Sequence, residues 1–137
     1  MEVSVSLRSV QRMDLEEEVT ELAALGTLEL LSDRVKLYYT EAAQDGGAVV
    51  TITVRGAQVV IERRGEISSQ LLLEEGKRHV CRFETPYGRM VLHTQAKRLA
   101  FRFEKNAGTL QAAYTLDMNG GYTEQEIEIR IKEVSPC

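Results

Sequence analysis

His79-Val80-Cys81-Arg82-Phe83-Glu84-Thr85-Pro86-Tyr87-Gly88-Arg89-Met90-Val91-Leu92-His93-Thr94 holds two runs of alternating apolar and polar residues joined by a turn. Period-two alternation is the pattern of a half-buried strand. Pro86 presets φ for the second turn position, Gly88 can take φ > 0, and β-prone residues flank both, so the stretch predicts a β-hairpin. An even-length loop pairs Glu84 with Arg89, Phe83 with Met90, Cys81 with Leu92 and His79 with Thr94, and sets Val80 against His93 on the other face. A three-residue loop with a bulge at Gly88 would instead pair Phe83 with Val91 and Cys81 with His93. The even loop is preferred because it sets apolar on apolar.

The same pattern extends outward in both directions. Val3, Val5 and Leu7 alternate with Ser4, Ser6 and Arg8, predicting a strand over 3–10. Val35, Leu37 and Tyr39, then Val50, Ile52 and Val54, mark two more, with a break at Asp45-Gly46-Gly47. Runs over 57–63 and 67–73 follow, closed by Gly65 and by Glu75-Gly76. Beyond the hairpin, Leu99, Phe101 and Phe103 share one face, as do Leu110, Ala112, Tyr114, Leu116 and Met118. Asn119-Gly120-Gly121 reads as a hairpin turn. Ile127, Ile129 and Ile131 alternate with Glu126, Glu128, Arg130 and Lys132, and Ser135-Pro136-Cys137 looks like a tail.

Residues 14–25 admit two readings. Asp14 with Glu17 resembles a capping box, and Leu15, Val19, Leu22 and Ala23 fall on one helical face. Yet the apolar run continues through Leu25, Gly26, Leu28 and Leu30 without a stop signal, so 18–31 can equally be one long strand. With about ten short strands and almost no room for helices, the chain is expected to be all-β, an antiparallel meander closing into a barrel that leaves no exposed edges. A single domain over 1–137 is expected from the length.

Glu18-Val19-x-Glu21-Leu22 leading to Gly26, the Val35-x-Leu37-x-Tyr39 strand, Tyr87-Gly88 followed by alternating apolar residues to Thr94, and Ala113-Tyr114 together resemble the YwiB-like family of small bacterial proteins of unknown function. The resemblance covers nearly the whole chain. It implies a calycin-like β-barrel, akin in shape to lipocalins and fatty-acid-binding proteins, with no established activity, and it favours strand over helix for 18–31.

The net charge of −4 is unevenly spread: residues 55–105 hold eleven Lys/Arg against six Asp/Glu, and the remainder six against fifteen. Such a division either forms a positive surface or cancels when the fold interleaves the halves. No run of about 18 apolar residues is present, and the first residues lack the basic and apolar regions of a signal peptide, so a cytoplasmic protein is expected. Two cysteines fit a reducing compartment. Cys81 reads as a small buried residue of a strand, and a bridge to Cys137 would tie the core to a tail.

The chemistry-bearing residues do not assemble into a motif. His79 and His93 lie on opposite faces of the hairpin and cannot share a metal. Cys81 and His79 share a face but are separated by about 7 Å along one strand, beyond hydrogen-bonding reach for a nucleophile and its base. Glu16-Glu17-Glu18 reads as solvated, Glu84 and Arg89 as an exposed pair beside the turn, and no cofactor is expected. Two functions remain open. One is binding of a small apolar ligand inside the barrel, against Phe83, Met90, Leu99, Phe101, Phe103, Tyr114, Leu116 and Met118, with the alternative that these side chains fill the core. The other is an interaction module whose outward Arg82, Arg98 and Arg102 meet an anionic partner. Nucleic acid is disfavoured as that partner by the acidic total and the lack of tryptophan or an aromatic ladder. Whether the chain acts as a monomer or a homodimer is left open.

Overall fold

The computed structural model describes residues 1–42, 46–118 and 120–134. Its strands are β1 (Glu2–Met13), β2 (Glu16–Leu30), β3 (Val35–Thr40), β4 (Val49–Arg55), β5 (Gln58–Arg64), β6 (Ser68–Glu74), β7 (Arg78–Thr85), β8 (Gly88–Glu104), β9 (Ala107–Met118) and β10 (Gly121–Glu133). Each pairs antiparallel with the next, and β1 pairs with both β2 and β10, closing a ten-stranded barrel. No helix occurs among the described residues. The 14–25 stretch is therefore strand, with only Asp14 and Leu15 as the loop between β1 and β2. Asp45, Asn119 and Ser135-Pro136-Cys137, which the sequence assigns to two turns and a tail, lie outside the described residues.

The organising hairpin has the even register. Thr85 pairs with Gly88 across a two-residue loop, followed by Glu84 with Arg89, Phe83 with Met90, Cys81 with Leu92 and His79 with Thr94. Gly88 has φ 134°, and the Thr85 hydroxyl bridges the turn, accepting from Tyr87 N–H and donating to the Gly88 carbonyl, both at 3.1 Å.

Two strands are long because each serves two sheets. β2 pairs with β1 over Glu16–Thr27 but with β3 only over Gly26–Leu30. β8 pairs with β7 over Gly88–Gln95 and with β9 over His93–Glu104. The barrel wall thus divides by its pairing into a long-stranded sheet (the end of β8, then β9, β10, β1 and the start of β2) and a shorter-stranded one (the rest of β2, then β3 to β7 and the start of β8), with β2 and β8 as corners. At Gly26 a Cβ would overlap the Tyr38 carbonyl oxygen and press on Tyr39 and Val5, so only glycine fits where three strands crowd. The β8 corner is a bulge between Ala96 and Arg98. The additional residue, Lys97, switches the inward positions from even (Met90, Leu92, Thr94, Ala96) to odd (Leu99, Phe101, Phe103).

The inward faces meet in one continuous core of buried residues including Val3, Val5, Leu28, Leu37, Ile52, Leu73, Tyr114 and Ile129. Leu28, Leu73, Ile129, Val3, Val5 and Thr94 are under 2% exposed, so the middle of the barrel is filled. No helix among the described residues is long and apolar enough to cross a membrane.

Candidate functional site

The eight candidate interior residues all sit on the inward faces of β7, β8 and β9, but they do not surround one hollow. Leu99, Phe101, Phe103 and Leu116 pack against the buried core, and Tyr114 is itself buried in it. Phe83, Met90 and Met118 are half-buried. The interior residues reach open space at a cleft of about 150 Å³ lined by Val54, Val59, Leu99, Phe101 and Leu110 beside the β4–β5 turn.

The sheet also contains a seam. β6 and β7 pair only over Ser68–Gln70 with Arg82–Glu84, then separate. Beyond that point the Leu72 main chain is satisfied by side chains: its N–H reaches Cys81 Sγ at 3.3 Å, and its carbonyl accepts from Thr94 Oγ1 at 2.6 Å. These contacts give buried Cys81 and Thr94 a structural duty, filling what would be missing rungs of a ladder. At the same seam Glu74 accepts from Gln58 and meets Lys77 and His79 Nε2, at 3.3, 3.2 and 3.1 Å. The Gln58 hydrogen bond foremost, then those from Lys77 and His79, holds the Glu74 carboxyl below the usual carboxylate range against the opposing effect of burial. His79 is thus turned to Glu74. His93 lies on the outer face beside Val80 and Asp117, apart from His79.

Glu41 and Arg63 form an inward-facing pair that the sequence reading passes over. Arg63 grips the carboxylate with both terminal guanidinium nitrogens, Nη1 at 2.9 Å and Nη2 at 2.6 Å, and the Glu41 side chain is 5% exposed. Burial, followed by the nearby Glu41 charge, pushes the Tyr39 hydroxyl up to about 12, with Arg63 opposing. Strand parity carries the signal for both charged residues: Leu37 and Tyr39 lead to Glu41 as Val59 and Ile61 lead to Arg63.

The larger concavities are outside. On the outer face of the long-stranded sheet a cleft of about 690 Å³ crosses β10, β1 and β2, and another of about 630 Å³ crosses β8, β9, β10 and β1. They share Ser6, Glu128 and Arg130, forming a saddle with small residues such as Ser4, Ala23, Gly108 and Thr109 in its lining. A smaller hollow beside it contains Val10, which is 4% exposed although its parity is outward.

The three candidate arginines are all exposed but do not form one patch. Arg102 lines the second saddle cleft and Arg98 the adjoining hollow, whereas Arg82 lies on the shorter-stranded sheet in a groove with Glu62, Arg64 and Glu84. Ion pairs join the basic middle of the chain to its acidic remainder: Arg55 with Asp33, Arg63 with Glu41, Arg78 with Asp117 and Lys97 with Glu124. The charge division along the sequence is therefore partly cancelled in space. Glu84 and Arg89 do meet, at 3.2 Å and well exposed. Among the described residues no group of three or more His, Cys, Asp or Glu is placed to hold a metal ion.

Residues 5–131 match the family described as a domain of unknown function, DUF1934. The chain belongs to this family. No curated protein matches it. The fold is similar to that of the ywiB protein from Bacillus subtilis, with a TM-score of 0.85 at 21% identity over 98% of this chain and 92% of that one. At that identity the likeness extends to the barrel and leaves the chemistry to be read from these side chains. The closed antiparallel barrel of about ten strands that the strand pattern predicts is thus present here.

Proposed function

We propose that this protein is an interaction module that receives an extended acidic polypeptide segment in the saddle of its long-stranded sheet. The observation that carries this reading is a set of cations on the saddle without internal partners. In the saddle Arg8 and Arg130 are engaged by Glu21 and Glu128, whereas Arg102 and Lys132, with Arg98 in the adjoining hollow, enter no ion pair among the described residues and outnumber Glu104, the saddle carboxylate likewise outside any ion pair there. A polar, small-residue floor fits a main chain better than a bulky apolar ligand, and with no aromatic side chain among the described residues lining it, bases have no stacking platform there. A reducing, cytoplasmic setting fits the free, buried Cys81. The test is fluorescence anisotropy with a labelled oligoglutamate peptide and with a labelled single-stranded oligonucleotide. The peptide should bind in a salt-dependent manner, lose binding with Arg98→Glu and Arg102→Glu together, and keep it with Arg82→Glu. No binding, equal loss with Arg82→Glu, or preference for the oligonucleotide would overturn the reading.

A second reading rests on the cleft beside Leu99 and Phe101. The lipocalin-like shape implied by the resemblance suggests a ligand inside, and about 150 Å³ lined by Val54, Val59, Leu99, Phe101 and Leu110, with Glu75 also in the wall, suits a group the size of a benzene ring, below the usual 300–1,000 Å³ of a pocket for a whole drug-sized molecule. Apolar dye binding that is lost on filling the cleft with Ala57→Trp would support it. Binding indifferent to Ala57→Trp would set it aside.

A further inference from the structure

We propose that the first half of β2 is a dimer interface, at which two copies of this chain pair edge to edge, antiparallel, about a two-fold axis at Leu22. From Glu16 to Leu25 this strand is paired with β1 alone, because β3 joins it only from Gly26 onward. Which of its main-chain groups are free follows from the ladder. Met1 and Leu28 exchange both of their main-chain hydrogen bonds across β1 and β2, and Leu31 N–H bonds to Arg34 on the opposite side. Alternation therefore turns the even-numbered residues of β2 toward β1 and the odd-numbered ones away. Glu17, Val19, Glu21, Ala23 and Leu25 thus present N–H and C=O groups to a side where no strand lies among the described residues. Val19 and Leu25 are also 45% and 66% exposed.

The side chains on this edge match themselves in one register. With the axis at Leu22, Val19 of each copy faces Leu25 of the other, Glu21 faces Ala23, and Leu22 faces its own counterpart. No glutamate opposes another, and the odd-numbered pairs that must exchange hydrogen bonds are those with free main-chain groups. Moving the axis to Glu21 stacks two glutamates, moving it to Thr20 sets Glu21 against Val19, and moving it to Val19 sets Glu17 against Glu21. An isologous contact needs this kind of self-complementarity, which a second copy supplies. A second free edge among the described residues, at the end of β8, is blunted: Glu75 accepts the Leu99 N–H at 2.7 Å, and Gly76 N–H bonds to the Ala96 carbonyl.

The larger saddle cleft reaches Glu21, Leu22 and Ala23, so pairing here would bring the clefts of two copies together around the axis. The dimer does not depend on what the saddle binds. A short strand pair buries less than the roughly 800 Å² per partner of a standard interface, so association should be concentration-dependent. Sedimentation over a concentration series should show the mass rising from 15.4 kDa toward twice that value, and Leu22→Lys should hold the chain at monomer mass with an unchanged β-sheet circular dichroism spectrum. In a chain with Cys137→Ser, Leu22→Cys should crosslink under mild oxidation several-fold faster than Thr20→Cys, because only the axial residue meets its own copy at disulfide distance. A monomer at every concentration, a dimer unaffected by Leu22→Lys, or equal crosslinking at both positions would overturn the proposal.

Discussion

β2 and β8 solve one geometrical problem in two ways. Each must leave one sheet and join the other, and each does so beside a buried tyrosine: Gly26 pairs with Tyr39, and Ala96, next to the bulge, pairs with Tyr114. β2 turns by omission, since Gly26 has no side chain to obstruct Tyr38 and Val5. β8 turns by addition, inserting Lys97 and reversing the inward parity. Omission keeps the register of β2 intact along its length, leaving its first half regular and open on the side away from β1. Addition breaks the regularity of β8, and Glu75 covers part of the edge that results. How a corner is made thus also decides how open the neighbouring edge is left.

Deletion of Lys97 should have the largest effect. Without it, Leu99, Phe101 and Phe103 would turn outward and Arg98 and Arg102 inward, so the chain should lose its cooperative urea unfolding transition altogether. Gly26→Ala should cost about 3 kcal/mol in urea unfolding, the upper part of the usual range for overpacking, since the atom it meets is a backbone oxygen that cannot swing away.

The two corner tyrosines give a pH-dependent test. Tyr39 is pushed up to about 12 by burial and by Glu41, and burial raises Tyr114 further still. A phenol in the unfolded chain loses its proton near pH 10, before these two do in the folded state. Their contribution to stability is therefore fully present below about pH 10 and is lost as the pH rises toward the folded values. In alkaline unfolding curves Tyr114→Phe should flatten this decline more than Tyr39→Phe, which reads the β8 corner as the drier of the two. The smallest effect belongs to Glu75→Ala. It frees one exposed Leu99 N–H and should cost about 0.5 to 1 kcal/mol, while exposing the β8 edge.

Much of this was legible because strand parity is a local property. Phe83 opposite Met90 and the shared faces of Leu110 to Met118 and of Ile127 to Ile131 follow from period-two alternation, and the register follows from Pro86 and Gly88. Even the bulge leaves a mark: the inward set is even from Met90 to Ala96 and odd from Leu99 to Phe103, so one additional residue has to lie between them. The choice between helix and strand over 14–25 needed more than alternation, because Asp14 and Glu17 suit a helix cap and pairing with β1 overrides that preference. The saddle was not legible at all. It is assembled from five strands drawn from both ends and the later part of the chain, and Ser4, Ser6 and Thr109 become a floor only after β1 meets β10 and β10 meets β9.

The seam at Leu72 has a consequence for how the barrel breathes. A backbone rung is renewed by its neighbours when it opens, whereas the contacts at Leu72 depend on two side chains from different strands and on a thiol that is a weak acceptor. Transient opening should therefore begin between β6 and β7 and spread from there, with Leu72 among the first central amides to exchange with deuterium. Cys81 lies on that line and is 4% exposed while the barrel is shut. Its alkylation by a small thiol reagent would consequently time the opening of the wall, and the protein carries in its own sequence a clock for its most fragile joint.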